Sequence, residues 1–139
     1  MTAQLQGGCA CGAIRYACDV APAAVFHCHC RDCQRSSGAP MSTVAVVPRT
    51  GFSLLSGRPR SYAATSYSGN TMRREFCGDC GSPLFLDLGA ARPDIWIIRA
   101  TSFDNPAAFE PSMHVWTDSA QPWDRVNDGL TCYPGNPPG

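Results

Sequence analysis

Seven of the nine cysteines fall into three tight groups: Cys9 with Cys11, then Cys28, Cys30 and Cys33, then Cys77 with Cys80. Glycine or small polar residues flank each group. Thiolates at such spacings are soft-metal ligands, because one turn or hairpin tip can supply two sulfurs to a tetrahedral zinc before a distant segment supplies the rest. Seven sulfurs divide into a closed site of four and an open site of three. That remainder carries the chemical interest: structural zinc is enclosed by protein ligands, whereas catalytic zinc keeps a position free for water or substrate.

A disulfide framework would use the same residues in an oxidising compartment. The start, from Met1 to Gly8, has neither a basic patch nor an apolar stretch of signal-peptide length. No run approaches the eighteen or more apolar residues of a membrane helix. The expectation is a cytoplasmic chain with reduced thiols and no membrane partner. The cysteine count is odd, and closing Cys9 onto Cys11 would cramp a disulfide. Metal is the favoured reading.

The charge balance narrows the partners. Net charge is zero, without the basic excess usual in nucleic-acid binding, so no nucleic-acid partner is expected. All eleven basic residues are arginine. Biased codon usage explains that set as a whole, but Arg31, Arg35, Arg73 and Arg74 lie beside cysteine groups and are candidates for contact with anions.

The elements that must position these groups read as short strands between turns. Residues 13–18, 42–47, 52–55, 61–67, 73–76, 84–88 and 94–98 are rich in β-branched or aromatic side chains. Twelve prolines and thirteen glycines leave no long uninterrupted amphipathic helix, though Pro106 to Glu110 suits a short turn. A mainly β domain over residues 1–132 follows, with an irregular, frayed tail over 133–139. Its 139 residues suffice for one core that gains from metal staples.

The cysteine groups fall where strands should turn. Cys9 and Cys11 precede the first expected strand, and Cys77 and Cys80 follow Phe76 in a turn with Gly78 and Gly81. Joining these tips without metal would cost on the order of 3 to 4 kcal/mol in chain entropy. Structural zinc contributes roughly 10 to 16 kcal/mol of apparent binding energy. Cys9, Cys11, Cys77 and Cys80 are therefore expected to form the closed site.

Cys28, Cys30 and Cys33 are then the reactive group. Three thiolates on a divalent ion leave a charge near minus one and a vacancy, with Arg31 and Arg35 close in sequence to hold an anionic ligand. A thiol entering the vacancy would lose its proton and become a nucleophile toward a carbonyl. The alternative is closure by a further protein ligand, with His27, His29, Asp32, His114, Cys18 and Cys132 all available. His29 is the poorest of these, because adjacent side chains diverge in an extended segment. His114, in an alternating strand-like pattern, is a candidate for substrate binding or proton carriage. Cys18 and Cys132 read as buried apolar residues, and Trp96, Trp116 and Trp123 as core or pocket walls.

Taken together, Gly8–Tyr16, Cys28–Cys33 with Gly38–Pro40, Phe76–Ser82, His114–Trp116 and Pro122–Asp124 resemble, in order, the glutathione-dependent formaldehyde-activating enzyme family, which includes centromere protein V. The resemblance covers nearly the whole chain. It implies an Mss4-like, zinc-stapled fold of short antiparallel strands, with two zinc ions per chain. One would sit on Cys9, Cys11, Cys77 and Cys80 and a second on Cys28, Cys30 and Cys33, the latter three serving as catalytic residues. It also implies a carbon-sulfur lyase that forms or cleaves an S-hydroxymethyl adduct between a small thiol such as glutathione and an aldehyde such as formaldehyde. Arg31, Arg35 and His114 are the candidates for substrate contact. Two other readings remain: a non-catalytic module with two structural sites, and a redox sensor that releases metal from Cys28, Cys30 and Cys33.

Overall fold

The computed structural model describes residues 4–66 and 68–138. Eleven strands are present among them: β1 (Leu5–Gly8), β2 (Arg15–Cys18), β3 (Ala24–Cys28), β4 (Ser42–Pro48), β5 (Phe52–Ser56), β6 (Arg60–Thr65), β7 (Thr71–Phe76), β8 (Pro83–Asp87), β9 (Ile95–Arg99), β10 (Met113–Val115) and β11 (Thr131–Cys132). One α-helix, α1 (Arg31–Ser37), interrupts them. The strands make a three-stranded sheet in the order β1-β2-β5 and an eight-stranded sheet in the order β11-β10-β3-β4-β9-β8-β7-β6. The chain is mainly β, as its composition requires.

Each of the seven expected strands is found within a residue or two of its expected bounds; Tyr67, at the end of one, lies outside the described residues. The expected turn at Pro106 is a 3₁₀ turn, Pro106–Ala108. Four strands and α1 were not expected. β1 ends in Gly7 and Gly8, poor strand formers by propensity. Gly7 is accommodated because a Cβ there would lie 2.4 Å from the Tyr16 hydroxyl oxygen, so only glycine lets β1 approach β2. Most pairings are antiparallel, but β10 runs parallel to both β3 and β11.

Strand periodicity gives the large sheet two apolar faces. Val25, Ala45, Phe85 and Ile98 share one face and pack with Tyr16, Cys18 and Phe52 of the small sheet. Their neighbours Phe26, Val44, Leu86 and Ile97 share the other. The register aligns both sets, with Val25 opposite Ala45, Ala45 opposite Ile98, Phe26 opposite Val44 and Leu86 opposite Ile97. Between the sheets Tyr16 is fully buried, its ring edge-on to Phe85 and Phe103 at 5.2 and 5.3 Å, and its hydroxyl meets Ser102 Oγ at 2.5 Å.

Two side-chain expectations are corrected, those for Cys132 and Trp123. Cys18 is buried, its thiol pushed up to about 11 by desolvation, but Cys132 is exposed because β11 is a two-residue edge strand. Trp96 packs on Phe52 and Phe85 and Trp116 walls a cavity, whereas Trp123 is exposed. The described part of the tail, to residue 138, is irregular. The Trp116, Thr117 and Asp118 amides donate to the carbonyls of Gly135, Tyr133 and Pro134, so it is bonded along the loop after β10. This fixes Trp116 at φ 59°, a left-handed conformation unusual for a bulky residue.

A bidentate ion pair ties β2 to the loop after β9, with Arg15 Nη1 and Nη2 donating to Asp104 at 2.8 and 2.5 Å. Hydrogen bonding from Arg15 holds the Asp104 carboxyl below its usual value. A carboxylate depressed in the folded state stabilises it above the ordinary range near pH 4 and loses that contribution as pH falls through the folded value. Because both groups are partly exposed, the effect is at most about 1 kcal/mol. Asp104→Asn should thus be slightly less stable than the parent at pH 7. Urea titrations should show that gap closing as pH falls below about 4.

Candidate metal centres

The Cys9 and Cys11 tip is the β1–β2 connection. The Cys9 amide donates to the Ile14 carbonyl at 3.1 Å, and the Ile14 amide donates to Cys9 Sγ at 3.3 Å. Gly12 takes φ +80°, which a residue with a Cβ resists. The Cys77 and Cys80 tip is the β7–β8 connection, closed by the Gly81 amide on the Cys77 carbonyl at 2.8 Å with Gly81 at φ +78°. The tips meet: the Ala10 amide donates to Ser82 Oγ at 3.0 Å.

Their sulfurs are spaced as a metal would require. Cys9 Sγ lies 3.6 Å from Cys11 Sγ, which lies 3.8 Å from Cys77 Sγ. Four sulfurs at tetrahedral corners around a zinc, with Zn–S bonds of about 2.3 Å, stand about 3.8 Å apart. All four sulfurs lie within 4.8 Å of one another, so this group could hold a metal ion. Ser82, hydrogen-bonded to Cys80 Sγ at 3.2 Å, lowers that thiol to about 5, which favours the thiolate form that metals bind.

Cys28, Cys30 and Cys33 are all buried and also lie within 4.8 Å of one another. Cys28 ends β3, Cys30 caps α1, and Cys33 lies in its first turn. The Cys33 amide donates to Cys30 Sγ at 3.2 Å, so the cap and the C-x-x-C spacing are one feature. At its far end α1 stops at Gly38, at φ 69°, whose amide returns to the Gln34 carbonyl at 2.9 Å. Hydrogen bonds from Cys28 and then Cys33 lower the Cys30 thiol to about 2, whereas Cys28, which donates to Cys30, is pushed up. The trio therefore concentrates negative charge on Cys30 first.

Two buried arginines answer that charge. Arg74 of β7 is 7% exposed and Arg99 of β9 is 5% exposed. Both donate to Ser36 Oγ, at 3.0 and 2.8 Å, and Arg99 also binds Ser42 Oγ. Among the described residues neither pairs with a carboxylate. Arg74 helps to lower Cys30, while burial pushes the Arg99 guanidinium down and the sulfurs of Cys33 and Cys28 offset part of that cost. Buried cations without carboxylates need another counter-charge, and the thiolates supply it.

A cavity of about 210 Å³ opens on the trio, walled by Phe26, Met72, Leu86 and Trp116, with Arg74 and Asp32 on its rim. Arg31 and Arg35, expected to contact substrate, do not line it. Arg31 bonds Gln34, while Arg35 lines separate clefts with Arg31 and with Arg99. Arg73 binds Ser61 on the exposed side of β7. His114 is buried outside this cavity, with its Nδ1 2.8 Å from His29 Nε2. Among the described residues no histidine, carboxylate or further cysteine joins the trio within the same reach, so neither His27 nor His114 closes it.

Sequence reasoning singled out Arg74 but missed Arg99. Its only signal was a cation ending the apolar run Ile95–Ile98, which is costly unless something buried needs the charge. The carboxylates beside the buried histidines, Asp124 at 3.4 Å from His29 Nδ1 and Asp128 at 2.9 Å from His114 Nε2, were likewise missed, since loop carboxylates carry no local signature.

Two sheets whose hairpin tips bring four cysteines together, with a second group of three cysteines lining a cavity, define a β protein with two cysteine groups that could each hold a metal ion. The sequence profile of the glutathione-dependent formaldehyde-activating enzymes matches residues 4–119, and the chain belongs to that family. A comparison with curated proteins returns no match. Among solved structures, a Rhodobacter sphaeroides protein solved as a structural-genomics target aligns over 92% of this chain and 98% of its own. Its TM-score is 0.57 at 15% identity, which supports the fold. No helix among the described residues is long and apolar enough to cross a membrane.

Replacing Cys80 with serine should remove one metal ion per chain and lower the melting temperature sharply, because the clamp between the sheets is lost. Elemental analysis with a thermal melt reads both. A variant with unchanged metal content and stability would overturn the assignment of the closed site.

Proposed function

We propose that the chain catalyses the formation or cleavage of an S-hydroxymethyl adduct between a small thiol and an aldehyde such as formaldehyde, the chemistry after which its family is named. One observation carries this reading: three buried thiols face an open cavity, and among the described residues no histidine, carboxylate or further cysteine joins them within the same reach. Cys28, Cys30 and Cys33 would hold a zinc ion, and Cys9, Cys11, Cys77 and Cys80 a structural one. Bound on the trio, zinc supplies Lewis acidity that lowers the pKa of a thiol at the vacant position.

The chain's own residues do the rest. Apolar walls from Phe26, Met72, Leu86 and Trp116 exclude water, which strengthens every charge interaction inside. Arg74 and Arg99 set the local charge. Three thiolates and a divalent ion sum to minus one, two guanidiniums raise that to plus one, and an entering thiolate neutralises it. The site thus favours the anionic form of the thiol. Arg74, on the cavity rim, contacts the substrate; Arg99, behind it, acts through Ser36 and Ser42 as a positioning residue. In the synthetic direction sulfur attacks the carbonyl carbon, a carbon-sulfur bond forms as the carbonyl π bond breaks, and the thiol's proton ends on oxygen. No oxidant or reductant is needed.

The exchange rate between hydrated formaldehyde and its S-hydroxymethyl adduct, followed by NMR with carbon-13 formaldehyde and a panel of small thiols, tests this directly. The parent should accelerate exchange. Cys30→Ser should abolish the acceleration while the four-cysteine clamp keeps its metal. Arg74→Gln should weaken the apparent thiol affinity by roughly tenfold to a hundredfold, as expected for a lost charge-assisted hydrogen bond. No acceleration with any thiol by fully metal-loaded protein would refute the proposal.

A further inference from the structure

Between the carboxylates of Asp124 and Asp128 stand two imidazoles. His29 Nδ1 is 3.4 Å from Asp124 Oδ2, His29 Nε2 is 2.8 Å from His114 Nδ1, and His114 Nε2 is 2.9 Å from Asp128 Oδ2. His29 is fully buried, and both its Nδ1 and Asp124 Oδ2 are buried without a hydrogen-bond partner. A neutral imidazole has one N–H and one lone pair. With the His114 N–H directed at Asp128, His29 must donate through Nε2, which turns its bare Nδ1 lone pair toward Asp124. With the His114 N–H directed at His29, the bare His114 Nε2 faces the Asp128 carboxylate. Either tautomer leaves a lone pair against a carboxylate, so the row is short of one positive particle.

A third donor stands at the Asp128 end. His27 lies directly opposite His114 in the parallel β3–β10 pairing, the two rings stacked with centroids 4.7 Å apart. Its Nδ1 is taken by Thr43 Oγ1 at 2.7 Å, which leaves Nε2 available. Ligand atoms of His27, His114 and Asp128 lie within 4.8 Å of one another. Asp128 is exposed and His27 partly so, which gives solvent access.

We propose that His27, His114 and Asp128 form a third cation site, which takes a borderline divalent transition ion such as zinc(II) or cobalt(II) with two nitrogen donors and one oxygen. Two neutral imidazoles and a carboxylate suit such ions better than the hard calcium or magnesium. The outer hydrogen bonds are those of a built site. Each ligating ring uses its other nitrogen on a protein partner, His27 on Thr43 and His114 on His29. The ion also settles the row: His114 then donates through Nδ1 to His29, and His29 through Nδ1 to Asp124, so the buried orphans are paired. The site is separate from the thiol centre, because strand alternation sends His27 and His114 to one face of the sheet and Cys28 and Val115 to the other. It would fasten β10 and the loop carrying Asp128 to β3.

Cobalt(II) titration of the full chain, followed by absorption and elemental analysis, separates this site from the sulfur ones. Thiolate ligation gives strong sulfur-to-cobalt charge-transfer bands in the near ultraviolet, whereas nitrogen and oxygen ligation does not. Expected is one ion per chain that adds no charge-transfer intensity. Asp128→Asn, at an exposed position compatible with folding, and His27→Gln should each weaken it by at least about tenfold with the thiolate bands unchanged. Cobalt uptake that saturates with the charge-transfer bands, or an extra ion of unaltered affinity in both variants, would overturn the site and assign an extra shared proton to the row. Because the readout is metal content and spectrum, the result does not depend on aldehyde chemistry.

Discussion

Two hairpin tips, one from each sheet, meet at four sulfurs, and the architecture depends on that meeting. Cys9 and Cys11 come from the small sheet, Cys77 and Cys80 from the large one, and Cys77 follows Cys11 by 66 positions. A core of short strands gains little from local propensity, and closing so long a loop costs chain entropy before any contact rewards it. A metal bridging the tips would fix the sheets face to face, with Tyr16 filling the space between them. The glycines at the tips serve that clamp: Gly12 and Gly81 adopt positive φ so that each turn can present two sulfurs to one point.

The three-cysteine centre obeys a different constraint, the cost of buried charge. Three thiols within a few ångströms resist simultaneous ionisation, so a divalent ion or nearby cations must share the negative charge. The large sheet supplies cations from two strands, Arg74 on β7 and Arg99 on β9, joined through Ser36 of α1. The same sheet offers apolar side chains on the cavity face, so charge and dry walls stand side by side.

The edge of the large sheet carries the polar machinery. β10 is three residues long and runs parallel to its neighbours, yet it sets His114 against His27 and Val115 against Cys28. One short strand therefore separates a histidine-carboxylate face from a thiolate face. The tail holds the next residue, Trp116, in a left-handed conformation through a run of amide-to-carbonyl bonds. The tail thus helps to shape the cavity wall, which Trp116 and Asn136 both line.

The sequence alone determined the grouping of the cysteines, the mainly β class and seven of the strands. Cysteine spacing and period-two patterns are local, and local signals survive without coordinates. α1 escaped because it is short and coincides with the cysteine motif that masked it. β1 escaped because its partner, not its composition, makes it a strand, and β10 showed only as the alternating pattern around His114. Only tertiary structure decided which arginines serve the thiols. Arg31 and Arg35 are near them in sequence, but Arg99, far away in the chain, lies behind them in space. It likewise decided that His29, His114, Asp124 and Asp128 form one row, because a hydrogen-bond chain across four segments is a property of strand pairing that no residue carries by itself.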